Sequence, residues 1–301
     1  MRPAIIGSRG SPLALAQSRS VMSALKKAWP GRNFEINVIK TEGDRLVDSP
    51  RSEDEAWGKG LFTSELEKAL LDGSIDLAVH SLKDLPTTSP EGLMLAGIPK
   101  RADARDVLIT RGPDLAVELP YGAVIATGSP RRAAQLGVMR SDLQTSEIRG
   151  NIDTRLRKFR ENPEWAGMVL AAAGLERLKP DVKGLHLTYL TLEEMLPAPG
   201  QGALGLQTCR ENADDIRKLV GAVHDKNTAA EVEAERMFLH ALGGGCREPI
   251  AAYAQAMPDN LLKLTGIAWL IGEKTPRRGE LIRRLDQPEK LGVDLAVEIS
   301  R

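Results

Sequence analysis

The chain has 301 residues, 42% hydrophobic and 27% charged, with zero net charge and two cysteines. That length fits two domains, or three small ones. Zero net charge and only 4% aromatic residues argue against a nucleic-acid binder, and two cysteines exclude a disulfide framework and point to a reducing, cytoplasmic compartment. The longest charge-free run, 195–209, holds two prolines, three glycines and two glutamines, so no membrane span is expected. Arg9 interrupts the apolar N-terminal stretch, which therefore reads as mature strand and helix rather than a leader.

In chain order, residues 3–8 read as a strand, and Ser11-Pro12 opens a helix with Ser as N-cap and Pro at the first helical position. Phe34, Ile36 and Val38 alternate as a strand does. The acidic stretch 42–55 is loop-like. A helix over about 61–72 starts near Ser64, with Glu67 three residues on as a capping box, and stops at Gly73. Residues 75–80 form an apolar run typical of a strand covered on both faces. The alternation then continues: strand 123–127, helix from Ser129-Pro130, strand near 145–148, helix from Asn151, strand 166–171. The pattern predicts two βα-rich lobes of about one hundred residues each, with parallel or mixed sheets. The last third differs. Thr228 and Glu231 form a capping box for a helix to Leu242, strands 250–257 and 261–270 flank a Pro258-Asp259-Asn260 turn, a third strand is expected at 280–286 and a helix at 288–300. No internal repeat is visible.

Cys246 follows three glycines, Gly243 to Gly245, and precedes Arg247-Glu248-Pro249. Two readings stand level: a thiol presented as nucleophile or attachment point, or an inert buried cysteine in a glycine-rich turn. Gly200, Gly202 and Gly205 match a dinucleotide fingerprint, but Pro197 and Pro199 precede it where a strand is needed, so it is a decoy. His80, His186, His224 and His240 lack metal-ligand spacing, and no metal is expected. His80-Ser81-Leu82-Lys83-Asp84-Leu85-Pro86 follows the buried strand directly, where open α/β sheets place their chemistry, though taken alone a solvated turn ended by Pro86 is the slightly favoured reading. Arg131 and Arg132 lie in the first turn of the helix opened by Ser129, a combination suited to carboxylates or phosphates, and Arg149, Asn151 and Arg155 repeat the layout. Between 131 and 160 the basic residues are Arg131, Arg132, Arg140, Arg149, Arg155, Arg157, Lys158 and Arg160, against Asp142, Glu147 and Asp153. A small polyanion is the expected ligand.

Taken together, several stretches resemble the porphobilinogen deaminase (hydroxymethylbilane synthase) family: 7–15, 58–62, His80 to Pro86, 128–132, 149–155, Ala173-Gly174-Leu175 with Arg177, 196–205 and 244–246. They run in the family's order over nearly the whole chain. The resemblance implies an α/β fold of two periplasmic-binding-protein-like lobes with mixed sheets, plus a C-terminal α+β domain with a small antiparallel sheet. It divides the chain into 1–99 with 200–219, 100–199, and 220–301. It implies a monomeric transferase that joins four porphobilinogen molecules head to tail with loss of ammonia, on a dipyrromethane cofactor held through a thioether on Cys246.

By the same resemblance Asp84 is catalytic, Lys83, Ser81, Thr127, Ser129, Arg131 and Arg132 hold the cofactor, and Arg9, Gln17, Phe62, Arg149, Arg155 and Arg177 bind substrate. The chemistry agrees with those residue types. Each porphobilinogen carries an acetate and a propionate, so the growing chain is a polyanion suited to bidentate arginines. Loss of ammonia leaves a cationic pyrrole unit, and one carboxylate must offset the arginine field there; nearby arginines are expected to keep Asp84 ionised. Three positions depart from the family: Pro130 replaces an aliphatic residue, the segment Ser52 to Trp57 is unusually acidic, and Gln207 stands where a glutamate is common. Two rivals are a non-enzymatic anion-binding protein, which needs no glycine-presented thiol, and a thiol acyltransferase, which needs a base near Cys246.

Overall fold

The computed structural model describes residues 2–41, 63–113, 115–244, 248–270, 272–273 and 275–301. The acidic stretch 42–55, Phe62 and Cys246 lie outside them. The strands are β1 (Ala4–Arg9), β2 (Phe34–Ile39), β3 (Leu77–Ser81), β4 (Leu93–Gly97), β5 (Asp106–Thr110), β6 (Val124–Ala126), β7 (Gln144–Ser146), β8 (Trp165–Ala171), β9 (His186–Tyr189), β10 (Leu204–Cys209), β11 (Ile250–Met257), β12 (Leu261–Ala268) and β13 (Arg277–Arg284). The chain divides into two compact units, Met1–Ala102 with Ala203–Ala229, and Asp103–Gly202 with Ala230–Arg301.

The first unit holds one mixed sheet, ordered β2-β1-β3-β10-β4. Strands β2, β1 and β3 run parallel, and β10 enters antiparallel between β3 and β4. The central strands β3 and β10 are buried along nearly their whole length, as expected of strands covered on both faces. In the second unit the sheet is ordered β7-β6-β8-β5-β9, with β7, β6 and β8 parallel and β5 antiparallel to both its neighbours. Thus β6, β7, β8, β5 and β9 repeat the places and directions of β1, β2, β3, β10 and β4. The two sheets share one strand order, which refines the two βα-rich lobes expected from the sequence.

Helix starts follow the predicted chemistry at three places. Ser11 Oγ accepts from Ala14 N (3.3 Å) at the head of Pro12–Ala28. Ser129 Oγ accepts from Arg132 N (3.4 Å) at Pro130–Met139, and Asn151 Oδ1 accepts from Thr154 N (2.9 Å) at Ile152–Glu161. Two predicted capping boxes do not form. The helix Ser64–Leu71 has Thr63 at its N-cap with no side-chain cap bond, and Ser64 Oγ donates to Glu65 instead. The later helix begins two residues earlier than expected, as Lys226–Ala241, because Asp225 Oδ1 accepts from Thr228 N (2.7 Å). Thr228 Oγ1 then accepts from Arg101 N and Glu231 from Ala256 N. Tertiary partners take the groups that a local box would have used.

In the second unit β11, β12 and β13 form an antiparallel sheet, turned at Asp259 and Asn260, which both have positive φ. Its core joins Ala234 and Phe238 to Leu262, Leu264, Leu291 and Leu295, so the helices Lys226–Ala241 and Pro288–Ser300 close one face. The third strand starts three residues before the predicted 280, since the adjacent Arg277 and Arg278 and then Gly279 at its start mask the strand signal. The two helices touch at Gly292, where an added Cβ would lie 2.4 Å from Ala234 O and 2.7 Å from Phe238 N. Those are backbone atoms that cannot step aside. Gly292→Ala is therefore expected to lower stability by about 2–3 kcal/mol, read as a lower urea midpoint with unchanged slope.

Candidate active site

In the first unit the carboxyl end of the sheet carries a small recess lined by Arg9, Ala14, Gln17, Thr63, Val79, His80, Ser81 and Asp84. Arg9 ends β1 and Ser81 ends β3, so the parallel strands deliver both to one edge. The chain then makes a single 3-10 turn, Leu82–Asp84, held by Leu82 N to Ala203 O (3.1 Å) and Leu85 N to Leu82 O (3.2 Å). Leu82 and Leu85 are buried while Asp84 is exposed, so the two leucines anchor the turn and the carboxylate projects from it. Gln17, itself buried, donates from Nε2 to Ser81 Oγ at 2.8 Å. Arg9, Gln17, Ser81 and Asp84 are thus brought together in one recess, with Lys83 beside Asp84 in the turn.

His80 and Gln207 belong to this site too, and neither was predicted as a site residue. His80 Nε2 lies 3.0 Å from Gln207 Oε1, and both side chains are buried. Burial first, then the positive charge of Arg9, push the His80 imidazole down to about 4, partly offset by the bond to Gln207. The signal was present in the sequence: a histidine closing an otherwise apolar buried strand has to find a polar partner.

In the second unit β6 and β7 deliver the corresponding residues. Thr127 N donates to Ser146 O (2.8 Å), and Thr127 Oγ1 accepts from Ser129 N (3.2 Å), shaping the turn into the helix. Gly128 is needed there, since a Cβ would sit 2.8 Å from Ile148 O. Arg131 and Arg132 are not surface charges: they are 5% and 6% exposed and share the fully buried Asp106. Arg131 Nη2 is 2.8 Å from Asp106 Oδ2, while Arg132 reaches Oδ1 through Nη2 (2.7 Å) and Nε (3.1 Å). Further bonds run from Arg131 to Leu196 O and from Arg132 to Val169 O.

Burial alone would raise the Asp106 carboxyl, but the two guanidiniums outweigh it and hold the group well below the usual carboxylate range. The cluster therefore carries two positive charges and one negative. Asp106 opens β5, whose start pairs with Ala171 at the carboxyl end of β8, so the cluster lies at the same sheet edge as Thr127.

A glycine turn supports it. Gly200 and Gly202 have φ of +73° and +85°, and the strand β10 follows, so the dinucleotide-like spacing serves a tight turn. Gln201 from that turn donates to Asp106 Oδ1 (2.9 Å) and to Ala104 O (2.7 Å). Glu235, also buried, accepts from Gly200 N (2.7 Å) and from Ala254 N (2.8 Å). Arg177 donates to Gly202 O (2.7 Å), and burial lowers its pKa. Arg149 pairs with Glu147 and Arg155 donates to Gly150 O, both near the start of Ile152–Glu161. Asp106, Gln201 and Glu235 escaped the sequence reading because their partners are distant in the chain.

Of the glycines before Cys246, Gly243 has φ +67°, and a Cβ on Gly244 would meet Ile250 Cδ1 at 2.3 Å. The positive φ favours glycine at Gly243, and at Gly244 a side chain would need Ile250 and Leu239 to shift. Among the described residues no side-chain cluster could hold a metal, and no helix is long and apolar enough to cross a membrane.

Two family models match the chain: porphobilinogen deaminase, dipyromethane cofactor binding domain, over residues 4–218, and porphobilinogen deaminase, C-terminal domain, over residues 229–301. The chain belongs to the porphobilinogen deaminase family. It is 45% identical to the porphobilinogen deaminase of Thermus thermophilus over 299 residues, covering 99% of this chain and 96% of that protein. The enzyme of Syntrophus aciditrophicus is 45% identical over 291 residues, 97% of this chain and 93% of its own. Among solved structures, the periplasmic aliphatic sulphonate binding protein SsuA of Escherichia coli is 14% identical with a TM-score of 0.42, covering 80% of this chain and 70% of that one.

The shared use of Asp106 gives a direct test. Asp106→Asn leaves two buried guanidiniums without their counter-charge and is expected to destabilise the protein by about 3–5 kcal/mol in chemical denaturation. A change within about 0.5 kcal/mol would mean the cluster is not buried in solution.

Proposed function

We propose that this chain joins four porphobilinogen molecules head to tail, with release of ammonia, into the linear tetrapyrrole hydroxymethylbilane, with Asp84 as its catalytic carboxylate. The observation that carries the reading is the exposed Asp84 on a turn anchored by buried leucines, in a recess it shares with Arg9, Gln17 and Ser81, within a chain matched by the family over nearly its whole length.

The described donors suit a dipyrromethane with its carboxylate side chains: Ser81 and Lys83 in the first unit, and Thr127, Ser129, Arg131 and Arg132 around a cluster with one positive charge in excess. These residues would hold the cofactor, with Cys246 as its thioether anchor. When bound, the dipyrromethane supplies the pyrrole end to which new units are added. Arg9, Gln17, Phe62, Arg149, Arg155 and Arg177 bind the carboxylates and ring of the incoming porphobilinogen. Asp84 accepts the substrate's pyrrole N–H and offsets the positive charge that develops there as the aminomethyl nitrogen departs. Ser81 is oriented for its part by Gln17.

The same reading takes 1–99 with 200–219, 100–199 and 220–301 as three domains, supported by the three separate sheets in those spans. It takes the enzyme as monomeric, as cytoplasmic, which the low cysteine content supports, and as acting without nucleic acid or membrane, for which zero net charge argues in the case of nucleic acid.

Asp84→Asn keeps size and hydrogen bonding but removes the charge. It is expected to fold, to carry bound cofactor, and to lose about a hundredfold or more in kcat with KM little changed. Near-normal turnover would reject Asp84 as the catalytic carboxylate.

A further inference from the structure

The helix Ser64–Leu71 opens at the Asp84 recess, and its cap residue does not use the bond its chemistry offers. A threonine at an N-cap normally turns its hydroxyl onto the unpaired N–H groups of the first turn, from an extended backbone. Thr63 instead has φ −119° and ψ −24°, a helical setting, and makes no side-chain cap bond. Its carbonyl still accepts from Glu67 N (2.8 Å), so the helix starts there without the hydroxyl.

The hydroxyl is not turned out to water either. Thr63 is only 4% exposed, and its Oγ1 has no hydrogen-bond partner among the described residues. Burying a hydroxyl unpaired costs free energy, and a valine would fill nearly the same space without that cost. Thr63 borders the recess, yet the neutral polar groups that line it are engaged elsewhere: Gln17 donates to Ser81, and His80 pairs with Gln207. An unpaired buried group at the edge of a binding recess calls for a partner that arrives with the ligand.

We propose that Thr63 is a further substrate-binding residue, whose hydroxyl donates to a carboxylate of the porphobilinogen in the recess. The proposal rests on that recess being the substrate site. Of the groups porphobilinogen brings, the ring N–H belongs to Asp84 and the ammonium is itself a donor, so its two carboxylates are the acceptors left for a hydroxyl proton. A carboxylate offers about four acceptor positions, more than the guanidinium of Arg9, which borders the same recess, can fill. Closing the recess over it removes the water that would take the remainder. The same hydroxyl works against an analogue that lacks the carboxylate, because that analogue leaves it unpaired.

The test is steady-state kinetics with porphobilinogen on the full-length, cofactor-loaded protein, for Thr63→Val and Thr63→Ser beside wild type, with a urea unfolding curve for each. Thr63→Val keeps the shape and is expected to raise KM about tenfold while kcat stays within about twofold. Thr63→Ser keeps the hydroxyl, and its KM should lie within about threefold of wild type. The urea midpoint of Thr63→Val should be no lower than that of wild type, since the group removed has no partner in the protein. A hydroxyl with a purely structural role gives the reverse pattern, a lower midpoint with KM unmoved. A Thr63→Val KM within about twofold of wild type would overturn the proposal. So would a lowered midpoint in that variant, or a KM in Thr63→Ser raised as far as in Thr63→Val. Failure of the wider reading is distinguishable: a wild type that leaves porphobilinogen unconsumed removes the substrate itself. One that consumes it while Thr63→Val keeps the wild-type KM removes only the part given to Thr63.

Discussion

Two guanidiniums closing on one buried carboxylate is the arrangement on which the second unit's site depends. Removing such ions from water costs several kcal/mol each, and only close geometry with satisfied hydrogen bonds offsets it. Here Asp106 Oδ1 accepts from Arg132 and Gln201, Oδ2 is ion-paired with Arg131, and backbone carbonyls of Leu196 and Val169 take further N–H groups. The balance is still one positive charge in excess at the carboxyl end of a sheet. That surplus suits a ligand carrying carboxylates, and it is fixed in place before any ligand arrives.

The first unit sets the same backbone frame to a different electrostatic use. Its sheet repeats the strand order and directions of the second, and Ser-Pro opens the helix after the first parallel strand in both, at Ser11-Pro12 and Ser129-Pro130. Where the second unit buries Asp106 between arginines, the first exposes Asp84 on a turn and backs it with a histidine that burial keeps uncharged. One frame holds an excess of buried positive charge, and the other holds an exposed carboxylate, which the proposed function uses to meet a developing cation. A chemistry that handles polyanions through cationic species needs both.

Much of this was legible locally. Helix starts with a capping Ser or Asn, the doubly covered strand at 75–80, and the rejection of a dinucleotide site at 200–205 all follow from short-range rules, and the structure agrees. The segment His80 to Pro86 pointed to the carboxyl end of a strand, where Asp84 is found. What could not be read depends on partners far along the chain. Arg131 and Arg132 look like a helix-surface pair until Asp106, 25 and 26 residues away, is folded against them. Thr228 and Glu231 look like a capping box until Arg101 and Ala256 claim them. The repeated sheet order is invisible because the equivalent strands share direction and burial rather than residues.

The account turns on a pyrrole primer bound covalently to one sulfur. The most direct measurement is the intact mass of the purified protein, made with ample porphobilinogen, beside its Cys246→Ser variant. The account predicts a mass excess of two pyrrole units on the wild type and none on the variant. An unmodified wild-type mass, or an excess that survives in Cys246→Ser, would contradict it.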